Sequence, residues 1–114
     1  MTIEDNLEIH YKDINPGANC VELKVDEELF SYTKAIKTAL RQNPQWVLLS
    51  EARSVEVKYL LECFSTGLHG LTTLHTDDTR KIPDRVANMM QDAYAASRLE
   101  NDIYSFINVG ILLR

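Results

Sequence analysis

The 114-residue sequence lacks the features that would indicate a membrane-spanning, secreted or nucleic-acid-binding protein. No apolar run approaches the roughly 18 residues of a membrane-spanning helix, and the N-terminus has no basic segment followed by an apolar one, as a signal peptide would. Positive charge is also scarce, because the net charge is −5. We therefore expect no direct binding to nucleic acid, and a cytoplasmic location.

Cysteine is scarce too, and the two cysteines, Cys20 and Cys63, follow no metal or disulfide spacing. They are most simply free thiols in a reducing compartment. Cys63, His69 and His75 do not match the spacing of common zinc ligands. A hydrophobic content of 45% with 25% charged residues is that of a globular protein, and the length allows one domain at most.

The most informative stretch is 46–53, Trp-Val-Leu-Leu-Ser-Glu-Ala-Arg. A short apolar run without alternation predicts a strand that is covered on both faces, as in a parallel sheet. Ligands of such sheets bind beyond the carboxyl ends of the strands, where Glu51 and Arg53 would lie. A nucleotide-hydrolysing enzyme needs an acid there to hold the water shell of Mg²⁺. An ordinary solvated acid at a strand tip is the alternative.

The N-terminal part predicts a strand that ends near Ile3, followed by a β-hairpin. Residues 8–12 and 20–24 each alternate between apolar and polar, and Pro16 and Gly17 between them indicate a turn.

The rest of the chain predicts alternating helices and strands. Apolar periodicity, caps and turn residues first indicate a helix that begins at the acids 26–28 and ends near Gln42, followed by the strand 46–49. A helix capped by Ser54 that ends before Gly67 and a strand over 70–74 come next. The C-terminal part predicts a helix opened by Asp78 or Thr79, a last helix that begins with a capping box at 97–100, and a final strand over 108–113.

This order predicts an α/β fold with a mainly parallel sheet flanked by helices. Three strand ends carry polar residues, and the carboxyl ends of parallel strands meet at one edge of a sheet. We therefore expect these residues to lie close together: Glu4, Asp5 and Glu8 after the first strand, Glu51 and Arg53 after the central one, and His75 with Thr76 after the last.

Four segments resemble, in the same order, motifs of the secretion traffic ATPases, the P-loop NTPases of type II and type IV secretion, type IV pili and conjugation. Residues 3–8, Ile-Glu-Asp-Asn-Leu-Glu, are similar to their Asp box. Residues 39–44, Ala-Leu-Arg-Gln-Asn-Pro, resemble the segment ahead of Walker B, and 47–53 resemble the Walker B strand itself. Residues 66–76 resemble the His box. The resemblance implies a RecA-like core and leans towards the conjugation branch.

The sequence departs from the family pattern at several places. The Walker A loop, Gly-x-x-x-x-Gly-Lys-Ser/Thr, is absent from the 114 residues. We expect that residues 1–114 form a partial ATPase domain and that Walker A and the family's N-terminal domain lie outside it. Leu68, not a histidine, follows Gly67, so the resemblance assigns no role to His69. Asn6 occupies a position where the Asp box commonly has proline.

The resemblance also implies roles for individual residues. Glu51 corresponds to the Walker B glutamate, which acts on Mg²⁺ through water, and Glu8 to the Asp-box glutamate, which orients or deprotonates the attacking water. Glu4 and Asp5 would support the metal site. His75 would sense the γ-phosphate, and Arg53 would be a structural or intersubunit arginine near the nucleotide.

For the intact protein, the resemblance implies a hexameric ATPase that uses ATP and Mg²⁺ and works at membrane-bound secretion machinery on the cytoplasmic side. For the 114 residues alone, we expect dimers or larger assemblies, because strands that expect a partner would be uncovered. The alternative is a non-catalytic α/β interaction domain that keeps only the scaffold.

Overall fold

Four short parallel strands form the centre of the computed structural model, which describes residues 1–54, 56–90 and 96–114, with the backbone alone for 96–99. The sheet order is β2-β1-β3-β4, and each pairing is parallel. The strands are β1 (Thr2–Glu4), β2 (Glu22–Lys24), β3 (Trp46–Leu49) and β4 (His69–Thr72). The predicted α/β class and parallel sheet are therefore confirmed.

The helices are α1 (Tyr11–Ile14), α2 (Tyr32–Gln42), α3 (Glu56–Ser65), α4 (Ile82–Met89) and α5 (Ala96–Phe106), with a 3-10 turn at Thr79–Lys81. Helices α2 and α3 contact β1 and β4 and each other, and α5 contacts α3 and α4. None of the described helices is long and apolar enough to cross a bilayer.

One face of the sheet carries the core. Ile3, Val47 and Leu49 are buried there with Ile36 of α2 and Leu60 of α3. Because side chains alternate along a strand, the neighbouring residues of β3 and β4 point to the opposite face. Trp46 and Leu71 on that face are 54% and 61% exposed. The β3 and β4 part of this face is therefore exposed, whereas Thr2 and Glu4 of β1 on the same face are buried.

Helix α2 begins later than the sequence predicted. The acids 26–28 do not open it, because Asp26 Oδ1 accepts hydrogen bonds from the backbone N–H groups of Glu28 and Leu29 and closes a turn. The helix instead begins after Ser31, whose hydroxyl accepts from the N–H of Lys34. Its end at Gln42 is as predicted.

The predicted β-hairpin is wrong. Residues 8–12 form no strand, because His10 adopts a left-handed conformation with φ of 48° and its carbonyl accepts from the N–H groups of Asp13 and Ile14 to start α1. Of the two alternating segments only the second forms a strand, β2, and it pairs in parallel with β1. Residues 5–21 are thus a crossover between neighbouring parallel strands.

Three boundaries in the C-terminal half also differ from the prediction. Strand β4 is His69–Thr72, not 70–74, and Ser97 lies within α5 instead of capping it. Residues 108–113 form no strand: none of the described residues pairs with them, and Val109, Ile111 and Leu113 are exposed. An extended segment needs a neighbour for its backbone groups before it becomes a strand.

Candidate active site

Glu51 is the centre of a charged cluster at the carboxyl edge of the sheet. It lies two residues after the end of β3, and its Oε2 accepts a hydrogen bond of 2.7 Å from Nε of Arg53. Its other oxygen, Oε1, lies 3.1 Å from Nε2 of His75, which follows β4. The Glu51 side chain is 20% exposed, whereas His75 is 88% exposed. The acid is thus held at the sheet edge while the histidine extends into solvent.

Asp5 brings the end of β1 into the same cluster. Nη2 of Arg53 donates to its Oδ2 at 3.2 Å, so Arg53 links carboxylates from two neighbouring strands. Partial desolvation opposes ionisation of Asp5, but hydrogen bonds from Asn6 and Tyr32 and the charge of Arg53 outweigh it and lower its pKa. The hydrogen bond and charge of Glu51 raise the pKa of Arg53.

A buried tyrosine connects the strand ends behind this cluster. The hydroxyl of Tyr32, at the start of α2, lies 2.9 Å from Oγ of Ser50 and accepts from the N–H of Asp5 at 3.2 Å. Burial raises the pKa of Tyr32, and the negative charge of Asp5 acts in the same direction. No pattern in the sequence indicated this role, because an aromatic residue on the apolar side of an amphipathic helix is normally interpreted as a core residue.

A buried carboxylate fixes the turn that carries Arg53. Oε1 of Glu56 accepts from the backbone N–H groups of Arg53 at 2.6 Å and Ser54 at 2.8 Å, as the glutamate of a capping box does. The sequence indicated Glu56 only as a favourable charge in the first helical turn. Its spacing of three residues from Arg53 is the signal that could have indicated the turn.

The predicted site residues Glu4 and Glu8 lie on the loop after β1. Glu4 is 1% exposed, and its Oε1 accepts from the N–H groups of Glu8 and Ile9, both at 3.0 Å. Glu4 therefore shapes the loop by accepting backbone hydrogen bonds. The Glu8 side chain is exposed, and no contact among the described residues joins it to the Glu51 cluster.

His69 lies at the other end of β4, far from the cluster. Its ring is 5.1 Å from that of Trp46 between ring centroids, at the amino ends of the strands. An open cavity of about 470 Å³ is located at this edge, lined by residues 43–46 and 66–69. Because it contains none of the clustered charges, we place the candidate active site at the carboxyl edge.

Replacing Tyr32 with Phe should raise the pKa of Asp5, because the hydroxyl that supports its ionised form is lost. Because its pKa is lowered in the folded state, ionised Asp5 stabilises the folded protein at pH values above the ordinary carboxyl pKa. This contribution is lost as the pH falls through the lowered pKa of the folded state. The stability difference between wild type and Tyr32→Phe should therefore shrink in acid. Carboxyl ¹³C NMR titration gives the pKa directly.

Tyr104→Phe is the matched control, because Tyr104 is an exposed tyrosine on α5. Its Asp5 titration should follow that of wild type. Identical Asp5 titrations in Tyr32→Phe and wild type would show that Tyr32 does not support the cluster.

The chain is thus an α/β domain with a charged cluster beyond the carboxyl ends of its parallel strands, which is where ligands of such sheets generally bind. The family described as "Type II/IV secretion system protein" matches residues 1–109. The chain belongs to this family, and the resemblance found in the sequence is confirmed.

Named relatives agree. The chain is 28% identical to the type IV pilus retraction ATPase PilT of Pseudomonas aeruginosa, over 98% of this chain and 33% of PilT. It is 32% identical to the type II secretion system protein E of Klebsiella pneumoniae, over 85% of this chain and 19% of that protein. It is also 32% identical to an uncharacterised Bacillus anthracis protein, over 98% of this chain and 26% of that protein.

The fold has a solved counterpart. The X-ray structure of the Legionella pneumophila ATPase DotB matches with a TM-score of 0.69 at 24% identity, over 93% of this chain and 29% of DotB. At that identity the likeness shows the fold alone. The chain spans between about a fifth and a third of the length of all these relatives.

Proposed function

We propose that the intact protein is the ATPase motor of a type II/IV secretion or conjugative DNA-transfer system, and that residues 1–114 form part of its ATPase domain. The observation that carries the proposal is the cluster of Glu51, Arg53, His75 and Asp5, which joins three strand ends at one sheet edge. The relative PilT is named as an ATPase, which supports the same activity here.

In this proposal each clustered residue acts on a different part of the nucleotide site. Glu51 would hold the water shell of the metal, and His75 would contact or sense the terminal phosphate. Arg53 holds the carboxylates of Glu51 and Asp5 in position. The exposed His75 can exchange its contact with Glu51 for a phosphate oxygen without disturbing packing. Phosphoryl transfer needs such positioning and charge neutralisation more than a covalent nucleophile.

The acids of the Asp box complete the assignment. Asp5 supports the metal side of the site through Arg53, and Glu4 fixes the loop by accepting the hydrogen bonds of Glu8 and Ile9. The exposed Glu8 side chain is then available to orient or deprotonate the attacking water.

The residues fit a hydrated Mg²⁺ bound together with ATP. Among the described residues no three His, Cys, Asp or Glu side chains are grouped to hold a metal directly. Mg²⁺ commonly keeps several waters and takes only one or two carboxylates along with the phosphates of the nucleotide, so Glu51 as an outer ligand is sufficient. The ion would supply neutralisation of phosphate charge.

The remaining parts of the proposal concern the intact protein. The phosphate-binding Walker A loop and the N-terminal domain would come from sequence outside residues 1–114. We propose a hexamer on the cytoplasmic side of the membrane, bound to the secretion machinery, where the hydrolysis cycle drives secretion or pilus assembly. Net charge of −5 gives no support for direct nucleic-acid binding.

Residues 1–114 by themselves should not hydrolyse ATP. The lysine and the backbone amides of a Walker A loop provide much of the affinity for phosphates, and the 114 residues contain no such loop. The measurement is phosphate release by the purified chain, beside the same domain expressed with a Walker A segment.

The control is Glu51→Gln in both proteins. Turnover by residues 1–114 that survives purification and disappears on this change would contradict the prediction. No turnover even with a Walker A segment present would favour a non-catalytic interaction domain.

A further inference from the structure

Glu56 is a buried carboxylate with no part in the chemistry proposed above. It is 6% exposed, and its Oε1 accepts from the backbone N–H groups of Arg53 at 2.6 Å and Ser54 at 2.8 Å. Hydrogen bonds from backbone N–H groups to a carboxylate are charge-assisted, and they are stronger than those between neutral groups. Glu56 also begins α3, where the helix dipole favours a negative charge. Its side chain is therefore a strong and well-placed acceptor for this turn.

The backbone that carries the cluster is anchored in two different ways. The N–H of Ser50 donates to a β1 carbonyl at 3.0 Å, and that of Ala52 donates to the carbonyl of Thr73 at 2.8 Å. The neighbouring strands therefore hold the chain as far as Ala52. Arg53 leaves the sheet, and its N–H donates to the side chain of Glu56 instead. The backbone position of Arg53 thus depends on one carboxylate.

The side chain of Arg53 depends on this anchor because burial does not hold it. It is 53% exposed, and its described hydrogen bonds join Nε to Glu51 at 2.7 Å and Nη2 to Asp5 at 3.2 Å. Holding a long side chain in one conformation costs entropy. Arg53 can keep both partners only if its backbone already lies within reach of them. A shift of the turn would therefore release two carboxylates together.

We propose that Glu56 is a positioning residue of the nucleotide site: through the backbone of Arg53, it keeps the guanidinium between the two carboxylates. This rests on the proposed function, in which Glu51 holds the waters of the metal. If His75 leaves Glu51 for a phosphate oxygen, Arg53 is the described contact that still holds the acid. Loss of Glu56 should therefore slow the chemical step and spare the affinity for nucleotide.

A double-mutant cycle in the intact protein tests whether Glu56 acts through Arg53. Glu56→Ala should lower the single-turnover rate about tenfold or more, as loss of a group that orients a site residue does at metal sites, and leave the nucleotide Kd unchanged. Glu56→Gln should keep most of the rate, because its amide oxygen can accept the same two N–H groups. In an Arg53→Ala background, Glu56→Ala should cause little further loss, because residues that act through each other are not additive.

Glu62→Ala is the matched control, because Glu62 lies on the same helix and its side chain has no hydrogen bond or ion pair to the cluster among the described contacts. It should hydrolyse ATP like wild type. Glu56→Asp is the milder variant if Glu56→Ala does not fold. Its carboxylate is one methylene shorter, so its rate should lie between those of Glu56→Ala and wild type. An equal loss with and without Arg53 would contradict the proposal, since a general structural effect is independent of that residue.

Labelling with phenylglyoxal tests the same step without ATP. The reagent adds to guanidine nitrogens, and the hydrogen bonds to two carboxylates should slow its reaction with Arg53. Peptide mass spectrometry of the labelled intact protein should show faster reaction at Arg53 in Glu56→Ala and the wild-type rate in Glu56→Gln. Arg80, which pairs with Asp78 at 2.6 Å, reports general loosening and should react equally in all variants.

Failure of this proposal and failure of the proposed function give different results. Arg53 labelling that does not change in Glu56→Ala, or that rises only together with Arg80, would overturn the positioning role. So would a Glu56→Ala protein with wild-type turnover beside a Glu51→Gln protein that has lost it. If Glu51→Gln itself hydrolysed ATP like wild type, the proposed function would fail, and the labelling of Arg53 would still decide whether Glu56 positions it.

Discussion

Glu51→Gln in the intact protein should keep nucleotide binding and reduce ATP turnover by about 10²-fold or more, the usual cost of losing a positioned charged group. Gln is nearly isosteric with Glu, and its oxygen can still accept the hydrogen bond from Arg53. The negative charge is lost, however, and with it the hold on the waters of Mg²⁺. The fall should therefore appear in the chemical step and not in the affinity for ATP.

The measurement is a nucleotide Kd beside a single-turnover rate for each protein. Glu27→Gln is the control, because Glu27 is an exposed acid between β2 and α2 with no hydrogen bond or ion pair to the cluster residues among the described contacts. It should leave both quantities unchanged. A Glu51→Gln protein that turns over ATP like wild type would remove the basis for assigning the carboxyl edge as the active site.

The position of the cluster could be predicted from the sequence because the strands that carry it have a strong local signal. Trp46–Leu49 is an uninterrupted apolar run that ends at a polar residue, and β3 has these bounds in the structure. Once β3 and β4 are parallel neighbours, Glu51 and His75 must lie at the same edge. Their contact of 3.1 Å follows from topology more than from local sequence.

The partners of each strand could not be predicted in the same way. The alternation over residues 20–24 predicts an extended segment, and Glu22–Lys24 forms one, but alternation does not say which strand it pairs with. The alternating segment nearest in sequence is 8–12, which is why a hairpin between the two is the simplest prediction. The hairpin does not form, because the backbone at His10 turns and starts α1. Similarly, 108–113 has the composition of a strand but no pairing partner among the described residues.

The supporting hydrogen bonds were the least visible in the sequence. Tyr32, Glu56 and Glu4 each bind backbone or hydroxyl groups near the cluster, and two of these residues are acids that would normally be expected in solvent. A buried carboxylate is stable where it accepts hydrogen bonds from backbone N–H groups. Which acid is buried depends on how the turn folds around it, and a sequence pattern does not contain that information.

Glu8 presents the sharpest remaining test of the site, because a hydrogen bond fixes its backbone while its side chain is exposed. Its N–H is fixed by Glu4, while its carboxylate is exposed and lies outside the cluster. If Glu8 orients or deprotonates the attacking water in the intact protein, Glu8→Gln should bind ATP normally and lose about 10²-fold or more in turnover. Because the side chain is exposed, the substitution should not change the free energy of unfolding.

Asp13→Asn is the matched control, since Asp13 is an exposed acid in the same crossover, with its carboxylate 3.7 Å from His10. Single-turnover rates and nucleotide Kd values should be those of wild type for Asp13→Asn, and only the rate should fall for Glu8→Gln. If both variants hydrolyse ATP like wild type, the acids after β1 serve only to fold and solvate the loop. The water would then have to be activated from the Glu51 side of the site.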